Sequence, residues 1–115
     1  MVKVEAVVVR EKVEEVMDAV TDTTGHVGVT VVEAVGHGRQ PGITHEYRGR
    51  VFESRFLPKA LLVFVVEDEQ AEAVVETIVE TARTGHDSGD GIVWTSPVWN
   101  VRHSRSGLPL EEVEV

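Results

Sequence analysis

The residues able to do chemistry in this chain sit in three short stretches. The first is Gly36-His37-Gly38-Arg39-Gln40. Two glycines one residue apart let a ligand come close to the backbone, and Arg39 offers a cation to a phosphate or carboxylate. The dinucleotide fingerprint of three spaced glycines is not met, because Pro41 takes the place of the third and no helix follows. The second stretch is Arg83-Thr84-Gly85-His86-Asp87-Ser88-Gly89-Asp90-Gly91. Consecutive backbone N–H groups in a glycine-rich turn form a nest for an anion. No Gly-Lys-Ser/Thr follows, so this is not a Walker A loop. The third is Arg102-His103-Ser104-Arg105-Ser106-Gly107, where arginines near the chain end can clamp phosphates. Taken singly, each has a plainer reading: a tight strand exit, a helix-to-strand connection and a solvated tail.

Other chemistry finds little support. The chain has no cysteine, which excludes disulfides, thiolate catalysis and zinc–thiolate or iron–sulfur sites. Five histidines, His26, His37, His45, His86 and His103, show no metal-ligand spacing, so no metal site is expected. No nucleophile with its base, and no pair of acid and base carboxylates, is apparent. The formal charge of −9, from 11 basic and 20 acidic residues, argues against nucleic acid as a partner, since phosphates demand a basic face. No apolar run approaches the roughly 20 residues that cross a bilayer. Charges interrupt the first apolar stretch, unlike a signal peptide, so a cytoplasmic protein is expected.

The elements that position these stretches follow from valine runs and helical spacing. Val2 to Val9 reads as a strand, with Val7-Val8-Val9 buried. Val13, Val16, Met17 and Val20 recur at helical intervals and predict a helix over roughly Arg10 to Val20. Val27 to Val35 is a second strand. Gly36 to Pro58 shows neither period and reads as a long loop, of a length that is usually functional. Ala60 to Val66 is the most apolar run and predicts a buried strand. Acidic Glu67-Asp68-Glu69 suits a helix start, and Ala71, Val74, Val75, Ile78 and Ala82 make its apolar face. Ile92 to Val98 is the last strand, interrupted at Pro97, and Trp99 to Val115 is a polar tail. Trp94 and Trp99 are expected in a core or a subunit interface.

Strand, helix, strand, long loop, strand, helix, strand is the order of a ferredoxin-like βαββαβ fold, an α+β arrangement with two helices on one face of an antiparallel four-stranded sheet. A single domain over 1–115 is expected. The uncovered sheet face of such a subunit would be rich in valine, which a homo-oligomer would cover.

Six short motifs in order make the chain resemble the PII signal-transduction family: Gly36-His37-Gly38-Arg39-Gln40, Tyr47-Arg48-Gly49, Phe56-Leu57-Pro58-Lys59, Asp68-Glu69-Gln70, Ala82-Arg83-Thr84-Gly85 and Gly89-Asp90-Gly91, followed by Pro97-Val98. The resemblance runs from Val4 to about Gly107. It implies a homotrimer of ferredoxin-like subunits with adenine nucleotides, ATP, ADP or AMP, in the clefts between them, and no obligatory cofactor. It implies a T-loop at about 37–55, between the second and third main strands, that docks on a target. A B-loop at about 84–91 and a C-terminal segment at 99–115 complete the plan. By position, Thr30 would touch the adenine. Gly36, Gly38, Arg39 and Gln40 would lie near the phosphates. Gln40 and Lys59 would serve an effector site, in many members a magnesium-bound 2-oxoglutarate. Gly85, Gly89, Asp90 and Gly91 would form the B-loop, and Arg102, His103 and Arg105 the C-terminal clamp. Tyr47, Arg48, Arg50 and Phe52 would face the target.

Several positions depart from the family pattern. Phe52 replaces the tyrosine that many bacterial members have uridylylated. The B-loop carries one additional residue within His86-Asp87-Ser88. Ile92 stands where a lysine usually follows Gly-Asp-Gly, and His103 falls on the first C-terminal arginine, with Arg102 adjacent. The reading that results is a non-enzymatic, nucleotide-sensing regulator of a membrane transporter or a metabolic enzyme, without insertion into the membrane itself. The alternatives are a PII-like module sensing ADP or AMP with another small anion, such as bicarbonate in carbon uptake, and a small ferredoxin-like enzyme.

Overall fold

The computed structural model describes residues 1–37, 43–48, 50–54, 56–85 and 89–110, and of strands 43–47 and 50–54 the backbone alone. Strand β1 (Val2–Val9) lies inside a four-stranded sheet. A 3-10 turn at Arg10–Lys12 leads into α1 (Val13–Thr24), which starts later and runs further than the spacing predicts. It stops where Gly25 adopts φ 76° and its N–H bonds Thr21 O at 2.8 Å. That left-handed cap costs least at glycine.

Strand β2 (Thr30–Gly36) follows, then β3 (Ile43–Tyr47), β4 (Arg50–Ser54) and β5 (Leu57–Val66). Helix α2 (Asp68–Ala82) and strand β6 (Ile92–Pro97) complete the order. The main sheet runs β2-β5-β1-β6, antiparallel throughout, and β3 pairs with β4 in a separate two-stranded sheet. Without the β3–β4 hairpin this is the expected ferredoxin-like topology.

Alternation explains the core. Val4, Ala6 and Val8 of β1 point one way with Leu62, Phe64 and Val66 of β5, and all are buried against Val16 and Val20 of α1 and Val74, Ile78 and Ala82 of α2. The residues between them face away from the helices. The register aligns Val32, Leu61, Val7 and Ile92 across that open face, and next to them Thr30, Val63, Glu5 and Trp94. The face is not wholly apolar: Glu5 pairs with Lys3 at 3.1 Å and accepts from Trp94 Nε1 at 3.2 Å.

Four expectations need correction. Residues 36–58 are not all loop, because they contain the β3–β4 hairpin, turned at Arg48 with φ 51°. Val27–Val29 are not strand: Gly28 O accepts from the His26 ring at 2.6 Å instead of entering a ladder. The third main strand begins at Leu57 and admits Pro58 because β1 ends its pairing at Val9↔Lys59, so no neighbour on that side asks proline for an N–H. Trp99 is 84% exposed and lies outside the core of this chain, which leaves a subunit interface as its expected place. The tail also has order of its own up to residue 110, with Arg102 bridged to Pro109 and Leu110 N–H on Val101 O at 3.0 Å.

Candidate functional site

At one end of the sheet two of the three stretches that bear on chemistry meet around a lysine. Lys59, on the open face of β5, is only 7% exposed. Its stem lies against Gly36, the last residue of β2, so closely that a Cβ there would sit 2.9 Å from Lys59 Cγ. Its Nζ donates to Gly89 O at 2.6 Å, across 30 residues of sequence. The root of the 37–55 segment and the glycine turn after α2 are thereby tied to the same side chain.

The turn is shaped by two further restraints. The Asp90 carboxylate accepts from both the backbone N–H and the hydroxyl of Thr84. This acidic group closes the turn upon itself. Gly85, Gly89 and Gly91 all have positive φ (88°, 87° and 105°). Gly91 has a second reason to be glycine: a Cβ would lie 1.7 Å from Val7 O on β1. Next to it Ile92 stands 68% exposed, offering an apolar surface where a cation would serve a phosphate.

The opposite end of β2 carries the other predicted residues. Thr30 opens the strand and helps line a cleft of about 330 Å³ with His26, Val27, Gly28, Val29, Val63, Val65 and Leu110. The walls are mostly apolar, with the threonine hydroxyl and the imidazole as polar points, the composition of a site for a flat organic ring. Leu110 brings the C-terminal segment to this cleft. Within that segment Arg102 is exposed and its Nε donates to Asn100 Oδ1 at 3.0 Å, and Arg105 is exposed. His103 is half-buried, and its Nε2 is buried without a hydrogen-bond partner.

Thr30 and Gly36 are six residues apart along an extended strand, roughly 20 Å at about 3.3 Å per residue. One chain therefore holds two separated groups, Gly36–Lys59–Gly89 at one end of β2 and Thr30 with the cleft at the other. A second cleft, about 370 Å³, lies by the 3-10 turn among Arg10, Glu11, Val13, Glu14, Val31, Glu33 and Ala60. Three carboxylates there repel anions, and the Arg10 Nη2 donates to Ala34 O at 3.3 Å and to Lys59 O at 3.5 Å.

Gly38, Arg39 and Gln40 lie outside the described residues, as do His86, Asp87 and Ser88. Tyr47, Arg50 and Phe52 are placed by backbone only: Tyr47 pairs with Arg50 next to the hairpin turn, and Phe52 pairs with His45. Among the described residues no group of three or more His, Cys, Asp or Glu side chains could hold a metal ion. Sequence reasoning missed His26, Val63, Val65 and Leu110 as cleft residues. Only Val63 and Val65 carried a signal, as the outward members of an alternating strand.

Comparison with known proteins agrees with this architecture. The family model described as nitrogen regulatory protein P-II matches residues 1–108. Nitrogen regulatory protein P-II 2 of Methanothermobacter thermautotrophicus is 46% identical over 107 residues, covering 93% of this chain and 91% of that protein. Nitrogen regulatory protein P-II of Microchaete diplosiphon is 45% identical, covering 93% and 94%. That of Pasteurella multocida is 41% identical over 112 residues, covering 97% and 98%.

Proposed function

The chain belongs to the nitrogen regulatory protein P-II family, and from that membership we propose that it senses adenine nucleotides and acts on a target protein through its T-loop, residues 37–55. Its work is conformational and involves no catalytic step. A ligand that binds one arrangement of the loop root better than another shifts the loop population, and one population engages the target. The observation that carries this reading is the Lys59 bond to Gly89 O, with Gly36 packed on the same side chain. A ligand at the B-loop that disturbs Gly89 acts directly on the root of the T-loop.

The two groups at opposite ends of β2 support a homotrimer. Neighbouring copies that set the start of β2 in one against the end of β2 in the next make one site of two halves. The open sheet face, with Val7, Val32, Leu61 and Ile92 in line, is what such an assembly covers. Thr30 and the apolar cleft then take the adenine, and the B-loop N–H groups take the inner phosphates. Arg102 and Arg105 supply cations from the C-terminal segment, with His103 between them in the chain, and Lys59 is the point where an effector carboxylate such as 2-oxoglutarate acts. No helix among the described residues is long and apolar enough to cross a membrane; the proposed setting is the cytoplasm, with a transporter or metabolic enzyme as target.

Ile92 sets the expected ligand preference. A terminal phosphate needs a cation or N–H donors once its water is displaced, and isoleucine offers neither. One missing charge-assisted contact costs about 1.5–3 kcal/mol, or one to two decades of affinity, and the loss falls mainly on ATP. Calorimetric titration with ATP, ADP and AMP, with and without magnesium, is expected to show ADP or AMP binding at least as tightly as ATP. Ile92→Lys is expected to move the preference toward ATP. No binding of any of the three removes the sensor reading, and ATP binding more than tenfold tighter than ADP overturns the preference.

A further inference from the structure

One wall of the cleft beside Thr30 is made by residues 26–29, which with Gly25 before them form a stretch with two glycines and no ladder of its own. Backbone of this kind has a large conformational entropy to lose. Val29 packs on the core at its far end, and between there and α1 the hydrogen bonds converge on one residue. His26 N–H donates to Thr24 Oγ1 at 3.2 Å, and His26 O accepts from Thr21 Oγ1 at 3.0 Å, fastening the stretch to the last turn of α1. The ring reaches forward: Nε2 donates to Gly28 O at 2.6 Å, which fixes the proton on that nitrogen. The ring also tilts against Phe64 of the core, centroids 6.1 Å apart. Helix end, core and cleft wall are thus joined through one side chain, while the next residue, Val27, is 72% exposed and holds nothing down.

We propose that His26 is the positioning residue of this cleft: its ring bond to Gly28 O preorganises the 26–29 wall, so that a flat heteroaromatic ring beside Thr30 meets a formed surface. The inference rests on the adenine reading of the cleft given above. It concerns how the wall is held and not a contact between His26 and the ligand. Binding to a wall that must first be ordered loses affinity by the cost of ordering it.

Calorimetry with ADP tests this on the full chain. His26→Leu keeps a bulky side chain and loses the donor; it is expected to weaken ADP at least tenfold. His26→Gln retains an N–H that can meet Gly28 O and is expected to return affinity to within threefold of the unaltered protein. Thr21→Ala removes the hydroxyl bond to His26 O together with one methyl group and leaves the ring bond to Gly28 O in place; it is expected to weaken ADP severalfold, and it carries the test should His26→Leu fail to fold. An unaltered protein that does not bind ADP overturns the sensor reading and this inference together. Binding by the unaltered protein with His26→Leu within threefold of it overturns this inference alone. So does a glutamine variant no better than leucine, or, where leucine does not fold, a Thr21→Ala variant of unchanged affinity.

Discussion

Replacing Lys59 by methionine separates the tie between loop root and B-loop from the packing around it. Methionine keeps an unbranched stem against Gly36 and gives up the ammonium that donates to Gly89 O at 2.6 Å. A hydrogen bond from a charged donor contributes about 1.5–3 kcal/mol, so the closed turn should lose about one to two decades of population relative to its open forms. The global effect should be smaller. A lysine 7% exposed has lost most of its hydration, a cost that methionine does not carry. The two effects separate in native-state amide exchange. The Thr84 amide, whose acceptor is the Asp90 carboxylate within the turn, should exchange at least tenfold faster in Lys59→Met. Amides of Leu62 and Phe64 in the middle of β5 should stay within threefold. Unchanged exchange at Thr84 would show that Lys59 does not hold the turn. Equal acceleration at Thr84 and in β5 would show general destabilisation, and either result refutes the coupling.

Two further substitutions test the scaffold. Gly91→Ala places a Cβ 1.7 Å from Val7 O at φ 105°. Backbone strain of about 1–2 kcal/mol adds to displacement at the β1–β6 pairing, so denaturant unfolding should show a loss of at least about 3 kcal/mol; a variant as stable as the parent contradicts the close approach. Glu76 lies on α2 four residues from both Glu72 and Glu80, all exposed. Glu76→Lys turns two repulsive pairs into attractive ones, each change worth about 0.2–0.5 kcal/mol. The urea midpoint at low salt should rise accordingly, and the gain should shrink in 1 M salt, where the screening length is about 3 Å. A gain that persists undiminished in salt would place its origin elsewhere.

The valine runs, the helical spacing of Val13, Val16 and Val20 and of Val74, Ile78 and Ala82, and the chemistry of the three motif stretches were legible in the chain itself. Burial periodicity is a local property, and it identifies which face of an element is hidden whatever hides it. Order of elements then left few topologies to choose from. The sequence missed or misjudged features that depend on partners far along the chain. Ile43–Tyr47 and Arg50–Ser54 form strands by pairing with each other, and a ladder between two short segments is a non-local fact that neither segment shows by its own residue pattern. Val27–Val29 look as β-branched as Thr30–Val35, yet the His26 ring takes the Gly28 carbonyl and ends the ladder. That the Asp90 carboxylate also accepts from Thr84, six residues back, is visible only once the turn is folded. Gly91 reads as loop freedom until Val7 O appears beside it. Thr30 and Gly36 share one motif plan in sequence, but an extended β2 holds them roughly 20 Å apart. Spacing along a chain records how many residues separate two groups; distance between them is decided by hydrogen-bond partners and strand direction, which only the folded chain supplies.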